Sequence, residues 1–291
     1  MTLSEIKSLY RKDQVTGDLV KGFVQTKPYN VHLKGGSGSV YAFRIAALFQ
    51  ELQFPQLVIC DDKEEAAYFY NDLQTLVDSS KVFFYPESQL FPYQEQEQTN
   101  NANVIQRAEV LDAVSSLKGN YVVVTYPKAL AEQVVTKNNL STNTLHIKVG
   151  EDLSVEFLMD MLFEYDFDRI DFVTSPGEFS IRGGIVDIFS YASDKPYRIE
   201  FFGDTIDSIR QFDPGDQLSV GKVDQAKIIP NIQKQMLQED RTSFLKFLHD
   251  NTVVWRKDLE LVKDRLSLIY DRALSAYDKV KDSAIRHLTP N

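Results

Sequence analysis

Continuous apolar runs that alternate with helical segments constrain the fold of this chain most. QLVIC (56–60), KVFFYP (81–86) and NYVVVTY (120–126) have strand character, and segments 64–77 and 103–117 between them have helical periodicity. Strands that are apolar throughout, with helices between them, indicate a parallel sheet covered on both faces. Pro127 stands where the first turn of a further helix tolerates proline. Residues 1–142 are therefore predicted to form an α/β domain.

A glycine-rich stretch, HLKGGSGSVYA, precedes the first long helical segment after residue 39 and resembles a phosphate-binding loop. In the motif G-x-x-x-x-G-K-[ST], glycines expose backbone N–H groups, the lysine binds the outer phosphates and the hydroxyl binds Mg²⁺. With the register started at Gly35, the second glycine falls on Val40, the lysine on Tyr41 and the hydroxyl on Ala42. The turn is retained but the chemistry is lost. The sequence predicts a degenerate nucleotide loop, without ATPase activity, at Gly35, Gly38, Ser39 and Tyr41.

The pattern changes near residue 143, after the polar stretch TKNNLSTNT. A helix is predicted after Ser154, a candidate N-cap, with apolar residues at helical spacing. Short strands joined by Gly, Pro and Asp turns follow and favour an antiparallel sheet. The predicted fold class is α/β, with a degenerate P-loop NTPase-like parallel-sheet domain and a smaller α+β domain, which the family resemblance described below implies to be inserted in the first. The predicted boundaries are 1–142, 143–227 and 228–291, the last segment being helical.

Charge and composition limit the function. The chain has 291 residues and a net charge of −10, and residues 143–227 hold 8 Lys and Arg against 17 Asp and Glu, a net charge of −9. Nucleic-acid binding relies on cationic side chains, so little direct DNA binding is expected and a protein partner suits this segment better. A single cysteine, Cys60, and the lack of a signal segment or long apolar run predict a cytoplasmic protein without a membrane segment.

Catalytic motifs are not found in the sequence. The four histidines have no metal-ligand spacing, and no serine lies in G-x-S-x-G. We expect no catalytic residue, no metal site and no cofactor.

Strand parity singles out polar side chains in the second segment. In EFSIRGGIVDIF, the apolar positions change parity at Gly183-Gly184, which indicates a bulge or sharp bend, and Arg182 lies opposite the apolar face. In YRIEFF, Arg198 and Phe202 share a face with Glu200.

An arginine beside an exposed aromatic residue is typical of a protein-binding hot spot. The alternative left open by the sequence is structural. Phe202 would then cover the edge of a small core, and Arg198 would pair with Glu200 or Asp187.

These residues carry a family resemblance. The stretch GEFSIRGGIVDIFS…KPYRIEFFGDTIDSIRQFDPGDQLS resembles the second domain shared by the excision-repair protein UvrB and the bacterial transcription-repair coupling factors, and the likeness covers residues 25–230. UvrB keeps an intact GxxGSGKT loop and a DNA-clamping hairpin after its FPYY-type residues. Here the loop is degenerate, and LFPYQEQEQTNNANVIQRAEV leaves no room for the hairpin. Both departures are typical of the N-terminal region of a coupling factor, whose full-length form is an ATP-dependent DNA translocase.

The resemblance implies a non-catalytic adaptor that mimics UvrB and recruits UvrA to stalled RNA polymerase in nucleotide excision repair. It implies that Arg182, Arg198 and Phe202, with Arg210 as a weaker addition, bind UvrA. It also implies that the C-terminal domain of the complete protein masks this surface, and that 228–291 continues the first domain. The alternative is a UvrB-like module that binds nucleotide or damaged DNA.

Overall fold

A computed structural model describes residues 1–25, 29–88, 101–117, 120–230 and 241–280 of the chain. The helices are α1 (Leu3–Lys12), α2 (Gln14–Gln25), α3 (Val40–Leu52), α4 (Lys63–Leu76), α5 (Asn101–Ser116), α6 (Pro127–Leu130), α7 (Lys137–Thr142), α8 (Val155–Glu164), α9 (Phe244–Phe247) and α10 (Leu259–Val280). The strands are β1 (Gln56–Ile59), β2 (Val82–Phe84), β3 (Val122–Thr125), β4 (Gln133–Val135), β5 (Leu145–Lys148), β6 (Asp168–Arg169), β7 (Glu178–Arg182), β8 (Ile185–Ile188), β9 (Tyr197–Phe202), β10 (Thr205–Phe212), β11 (Ser219–Val223), β12 (Gln225–Ile228), β13 (Arg241–Ser243) and β14 (Val253–Arg256).

The predicted parallel sheet is present, with strand order β14-β1-β3-β2. All four residues of β1 and of β3 are buried, as expected for strands covered by helices on both faces. The helices α3, α4 and α5 contribute Ile45, Leu73 and Leu111 to the same core. Asp62 caps α4 by accepting a hydrogen bond from the Glu65 N–H. The predicted α/β class is confirmed.

The C-terminal described segment contains strands as well as helices, so a purely helical interpretation of it is wrong. β14 pairs in parallel with β1 and completes the first sheet, and β13 pairs with β4. The Trp255 indole donates a hydrogen bond of 2.8 Å to the Gln56 side chain, which ties the two strands together. The pattern missed β14 because its four residues lie between two helical segments and become a strand through pairing with β1.

A six-stranded sheet of order β11-β10-β9-β8-β7-β6 forms the second unit. The N-cap Ser154 begins α8 as predicted, and α8 packs Leu158 and Leu162 on one face of this sheet. The unit is inserted, because the chain enters the parallel sheet before it, at β1 to β3, and returns to that sheet after it, at β14. Its entry strand β5 and exit strand β12 pair antiparallel.

Gly183 and Gly184 form a hairpin turn between β7 and β8, which is the sharp bend, rather than the bulge, of the two predicted alternatives. Arg182 is opposite Ile185 in the β7–β8 ladder, and Gly183 has a φ of 61°. Residues that lie opposite each other in a hairpin share a face of the sheet. Because the loop has two residues, the inward-facing residues are odd-numbered in β7 and even-numbered in β8, and no bulge is needed.

Contacts at the base of the insertion join its core to the first unit. Val104 of α5 packs in the second core, and Ile229 packs in the first. The ammonium of Lys227 pairs with Asp112 across the junction, and burial lowers the pKa of Lys227. The Ser190 hydroxyl accepts a hydrogen bond of 2.9 Å from the Ile229 N–H.

No helix within the described ranges is both long and apolar enough to cross a membrane. Residues 89–100, where the resemblance predicts that the DNA-clamping hairpin is missing, lie outside the described residues, as do 231–240 and 281–291.

Candidate functional site

Two rows of polar side chains cross the face of the six-stranded sheet that lies opposite α8. The ladders place Asp187 beside Arg198 and Arg198 beside Arg210 in one row, and the neighbouring row contains Arg182 and Glu200. Phe202 follows at the end of β9. We call this set the arginine face, consisting of Arg182, Asp187, Arg198, Glu200, Phe202 and Arg210. All four predicted binding residues are therefore brought together.

Asp187 is the centre of the arginine face and is fully buried. Its carboxylate accepts hydrogen bonds of 2.8 and 2.9 Å from Nε and Nη2 of Arg198, and it also pairs with Nη2 of Arg182. A buried carboxylate needs such partners, and two guanidinium groups supply them. The sequence carried a signal for Asp187, since it is the single acid in the apolar stretch GIVDIF.

Arg198 is more buried than a freely solvent-facing residue. Its side chain is 18% exposed, and its guanidinium lies 4.4 Å from the centre of the Phe212 ring. The hydrogen bond to Asp187 raises the pKa of Arg198 above its ordinary value. The pairing of Arg198 with Asp187, left open by the sequence, is thus the arrangement that the structure has.

Arg210 pairs with Glu200, at 2.8 Å between Nη2 and Oε2. The same carboxylate oxygen accepts a 2.6 Å hydrogen bond from the Ser208 hydroxyl. Three arginines against two carboxylates leave the arginine face with one excess positive charge in a segment whose net charge is −9. This local excess suits an acidic partner surface.

Phe202 is 84% exposed, so it does not cover the edge of a small core as the structural alternative required. It lies next to the Gly183-Gly184 turn, because the Phe201 N–H donates a 2.7 Å hydrogen bond to the Gly184 carbonyl. The arrangement is a large apolar ring at the border of an ion-paired arginine platform, which is the composition of a protein-binding hot spot.

The residues of the glycine-rich stretch lie in the first unit, apart from the arginine face. Gly35 and Gly38 have φ values of 87° and 58°, which favour glycine. Ser39 is exposed and donates a 3.0 Å hydrogen bond to Asp72. The Tyr41 ring lies against Gly36, where an added Cβ would be 2.8 Å from the ring. An aromatic ring therefore occupies the position where the motif has lysine.

Arg44, the first basic residue of α3, has its own partners outside the glycine-rich stretch. It pairs with Asp13 and donates a 3.2 Å hydrogen bond to the Thr16 hydroxyl. Across the described part of the chain, no group of three or more His, Cys, Asp or Glu side chains is placed to hold a metal ion. Burial raises the pKa of the Cys60 thiol, which makes it a poor nucleophile.

Comparison with known proteins identifies the class of the second unit. Residues 145–233 match the family model of the UvrB interaction domain. The arginine face and the six-stranded sheet that carries it lie within this domain.

Relatives extend the similarity beyond that domain. The chain is 30% identical to the transcription-repair-coupling factor of Bacillus subtilis (strain 168) over 235 residues, which is 80% of this chain and 20% of that protein. It is 28% identical to the transcription-repair-coupling factor of Myxococcus xanthus over 73% of this chain and 18% of that protein. It is 25% identical to the UvrABC system protein B of Methanococcus maripaludis over 79% of this chain and 37% of that protein. The chain is thus similar to coupling factors and to UvrB, and it matches about a fifth of the length of the coupling factors. The predicted resemblance is confirmed.

Proposed function

We propose that this chain is a non-catalytic adaptor region that recruits UvrA through the arginine face. The observation that carries the proposal is Phe202, which is 84% exposed on a rigid, ion-paired platform inside a UvrB interaction domain. The pairing of β9 with β10 already holds the backbone of Phe202, so binding has to order only its side chain. The arginines beside it provide donors for carboxylates of a partner.

The wider role rests on the same proposal. In a longer parent protein with ATP-dependent DNA translocase activity, the region would bring UvrA to a stalled RNA polymerase for nucleotide excision repair. Its C-terminal domain would cover the arginine face until then. The net charge of −9 in residues 143–227 supports a protein partner over DNA, because cationic side chains provide the affinity for phosphates.

Calorimetric titration of the chain with UvrA from the same organism tests the proposal. Wild type should bind, and Phe202→Ala should lose about 2 kcal/mol of binding free energy, as a hot-spot residue does. Arg210→Ala should lose about 1 kcal/mol, since its guanidinium is partly exposed and already paired with Glu200.

Substitution of Arg198 does not test the surface cleanly, because its side chain also pairs with the buried Asp187. Arg198→Glu would place a carboxylate against the buried Asp187 and would unfold the sheet, so a loss of binding would not locate the surface.

Phe157→Ala is the matched control, because Phe157 is 51% exposed on α8, which packs on the opposite face of the sheet. A folded wild-type chain that does not bind UvrA would refute the adaptor role.

A further inference from the structure

Residues 170–175 cross the sheet beside the arginine face and form what we call the 170–175 strap. The Ile170 N–H donates a 2.9 Å hydrogen bond to the Phe179 carbonyl at one end. At the other end, the Glu178 carboxylate accepts hydrogen bonds of 2.7 Å from the N–H groups of Thr174 and Ser175. The strap is therefore tied to β7 on both sides.

Packing and hydrogen bonds also hold the middle of the 170–175 strap on the sheet. Val173 is fully buried in a small core with Phe189 and Phe212, and its carbonyl accepts a 3.0 Å hydrogen bond from Gln217. The Asp171 carbonyl accepts hydrogen bonds of 2.7 Å from Arg182 and 3.0 Å from the Ser180 hydroxyl. The backbone is thus held by hydrogen bonds on both sides of residue 172.

Phe172 lies between these anchors and is 65% exposed. The guanidinium carbon of Arg182 is 5.7 Å from the centre of its ring, within the distance of a cation–π contact. Single exposed apolar residues are normal on protein surfaces. Phe172 differs from them because the strap fixes its backbone through Asp171 and Val173 and places it beside an arginine of the binding face.

Arg182 connects the 170–175 strap to the arginine face. Its Nη1 binds the strap at Asp171, and its Nη2 pairs with Asp187 in the centre of the arginine face. Phe202 lies one row further along the same face, beside the Gly183-Gly184 turn. Phe172 and Phe202 therefore both border the arginine face, Phe172 at Arg182 and Phe202 at the end of β9.

We propose that Phe172 is a second aromatic anchor of the same docking surface, with UvrA as the occupant, and that Arg182 acts mainly as its positioning residue. The inference rests on the proposed function, since it assigns a further contact to that interface. Phe172 is continuous with the arginine face, which has an excess positive charge within an acidic domain, and this favours the same occupant. Pre-ordered aromatic side chains beside arginine are the residues that dominate binding energy at protein interfaces.

The test is the affinity for UvrA of wild type, Phe172→Ala, Phe202→Ala and the control Phe157→Ala. Phe172→Ala should raise the Kd roughly tenfold, and Phe157→Ala should leave it within about twofold. The melting temperature of Phe172→Ala should stay close to that of wild type, because the lost ring is mostly exposed.

Arg182→Lys tests the positioning role, because a lysine keeps the charge but does not bridge Asp171 and Asp187. Arg182→Lys should weaken binding in the wild-type background and should weaken it little further in the Phe172→Ala background, as coupled residues do.

The inference is overturned, while the proposed function stands, if wild type and Phe157→Ala bind UvrA equally, Phe202→Ala binds more weakly and Phe172→Ala binds as tightly as wild type. If wild type does not bind at all, both fall. A full additional loss from Arg182→Lys without the Phe172 ring would refute the positioning role.

Discussion

At the scale of single residues, one buried carboxylate organises the candidate surface. Asp187 holds Arg182 and Arg198 in fixed positions, and Arg182 in turn holds the 170–175 strap. The arginines therefore have a structural role in addition to any contact with a partner. Loss of binding in an arginine variant has to be separated from loss of structure, whereas Phe172 and Phe202 are free of this complication because they are exposed.

Asp187→Asn should lower the free energy of unfolding by about 3 kcal/mol, because it leaves two guanidinium groups facing a neutral amide in a buried site. Urea unfolding at neutral pH measures the change. Asp207→Asn, at an exposed position of β10, is the control and should change the free energy by less than about 0.5 kcal/mol. Equal stability of the two variants would show that Asp187 is not the organising group.

At the scale of elements, the glycine-rich stretch and α3 form a turn and a helix without the side chains that bind nucleotide. We predict that millimolar ATP with Mg²⁺ leaves the melting temperature of the chain unchanged, because a ligand that binds the native state must raise it. We expect no ATP binding because Tyr41 stands in place of the motif's lysine and its ring packs against Gly36. A concentration-dependent increase would instead favour a UvrB-like nucleotide-binding module.

The docking of α1 and α2 on α3 should depend on pH. The hydrogen bond from Arg44 holds the pKa of Asp13 below its ordinary value of 3.8. A lowered carboxyl pKa stabilises the folded state above pH 3.8, and this stabilisation is lost as the pH falls through the folded-state pKa.

Asp13→Asn should therefore be less stable than wild type at pH 7, by roughly 0.5–1 kcal/mol for a partly exposed ion pair. The difference should shrink once the pH is below the ordinary carboxyl pKa. Urea unfolding at neutral and acidic pH measures it, with Asp18→Asn, an exposed acid of α2, as the control. A difference that does not vary with pH would exclude the ion pair as its cause.

At the scale of the whole molecule, the binding domain is an insertion whose ends are adjacent. Leu145 of β5 lies opposite Ile228 of β12, so the entering and leaving strands close the unit at its base. Its core is separate from that of the parallel sheet, apart from junction contacts such as Val104. This topology places the arginine face on a unit separate from the one that contains the glycine-rich stretch.

A fragment of residues 143–230 should fold alone, with a cooperative thermal transition and an affinity for UvrA within about threefold of the whole chain. It should melt below the whole chain, because it loses the Lys227–Asp112 pair and the packing of Val104. Circular dichroism and calorimetry measure these properties. A fragment without a cooperative transition would show that the proposed boundary at 143 divides a single folding unit.

The sequence by itself determined the local structure and the family. Fully apolar runs such as QLVIC predicted buried parallel strands, Ser154 predicted the start of α8, and parity placed Arg182, Arg198 and Phe202 on one face. These features depend on neighbours along the chain, which a periodic pattern reports directly. The resemblance that joined them to a binding domain is equally a property of the sequence.

Tertiary structure alone decided which residues meet. β14 became a strand through pairing with β1, nearly 200 residues away in the chain, and Arg198 was drawn inward by Asp187 on another strand. The position of Phe172 depends on Arg182 and Gln217, whose side chains donate hydrogen bonds to the carbonyls on either side of it in the 170–175 strap. Ion pairs and buried carbonyls are satisfied by whatever partner the fold brings near, and no local pattern encodes that partner.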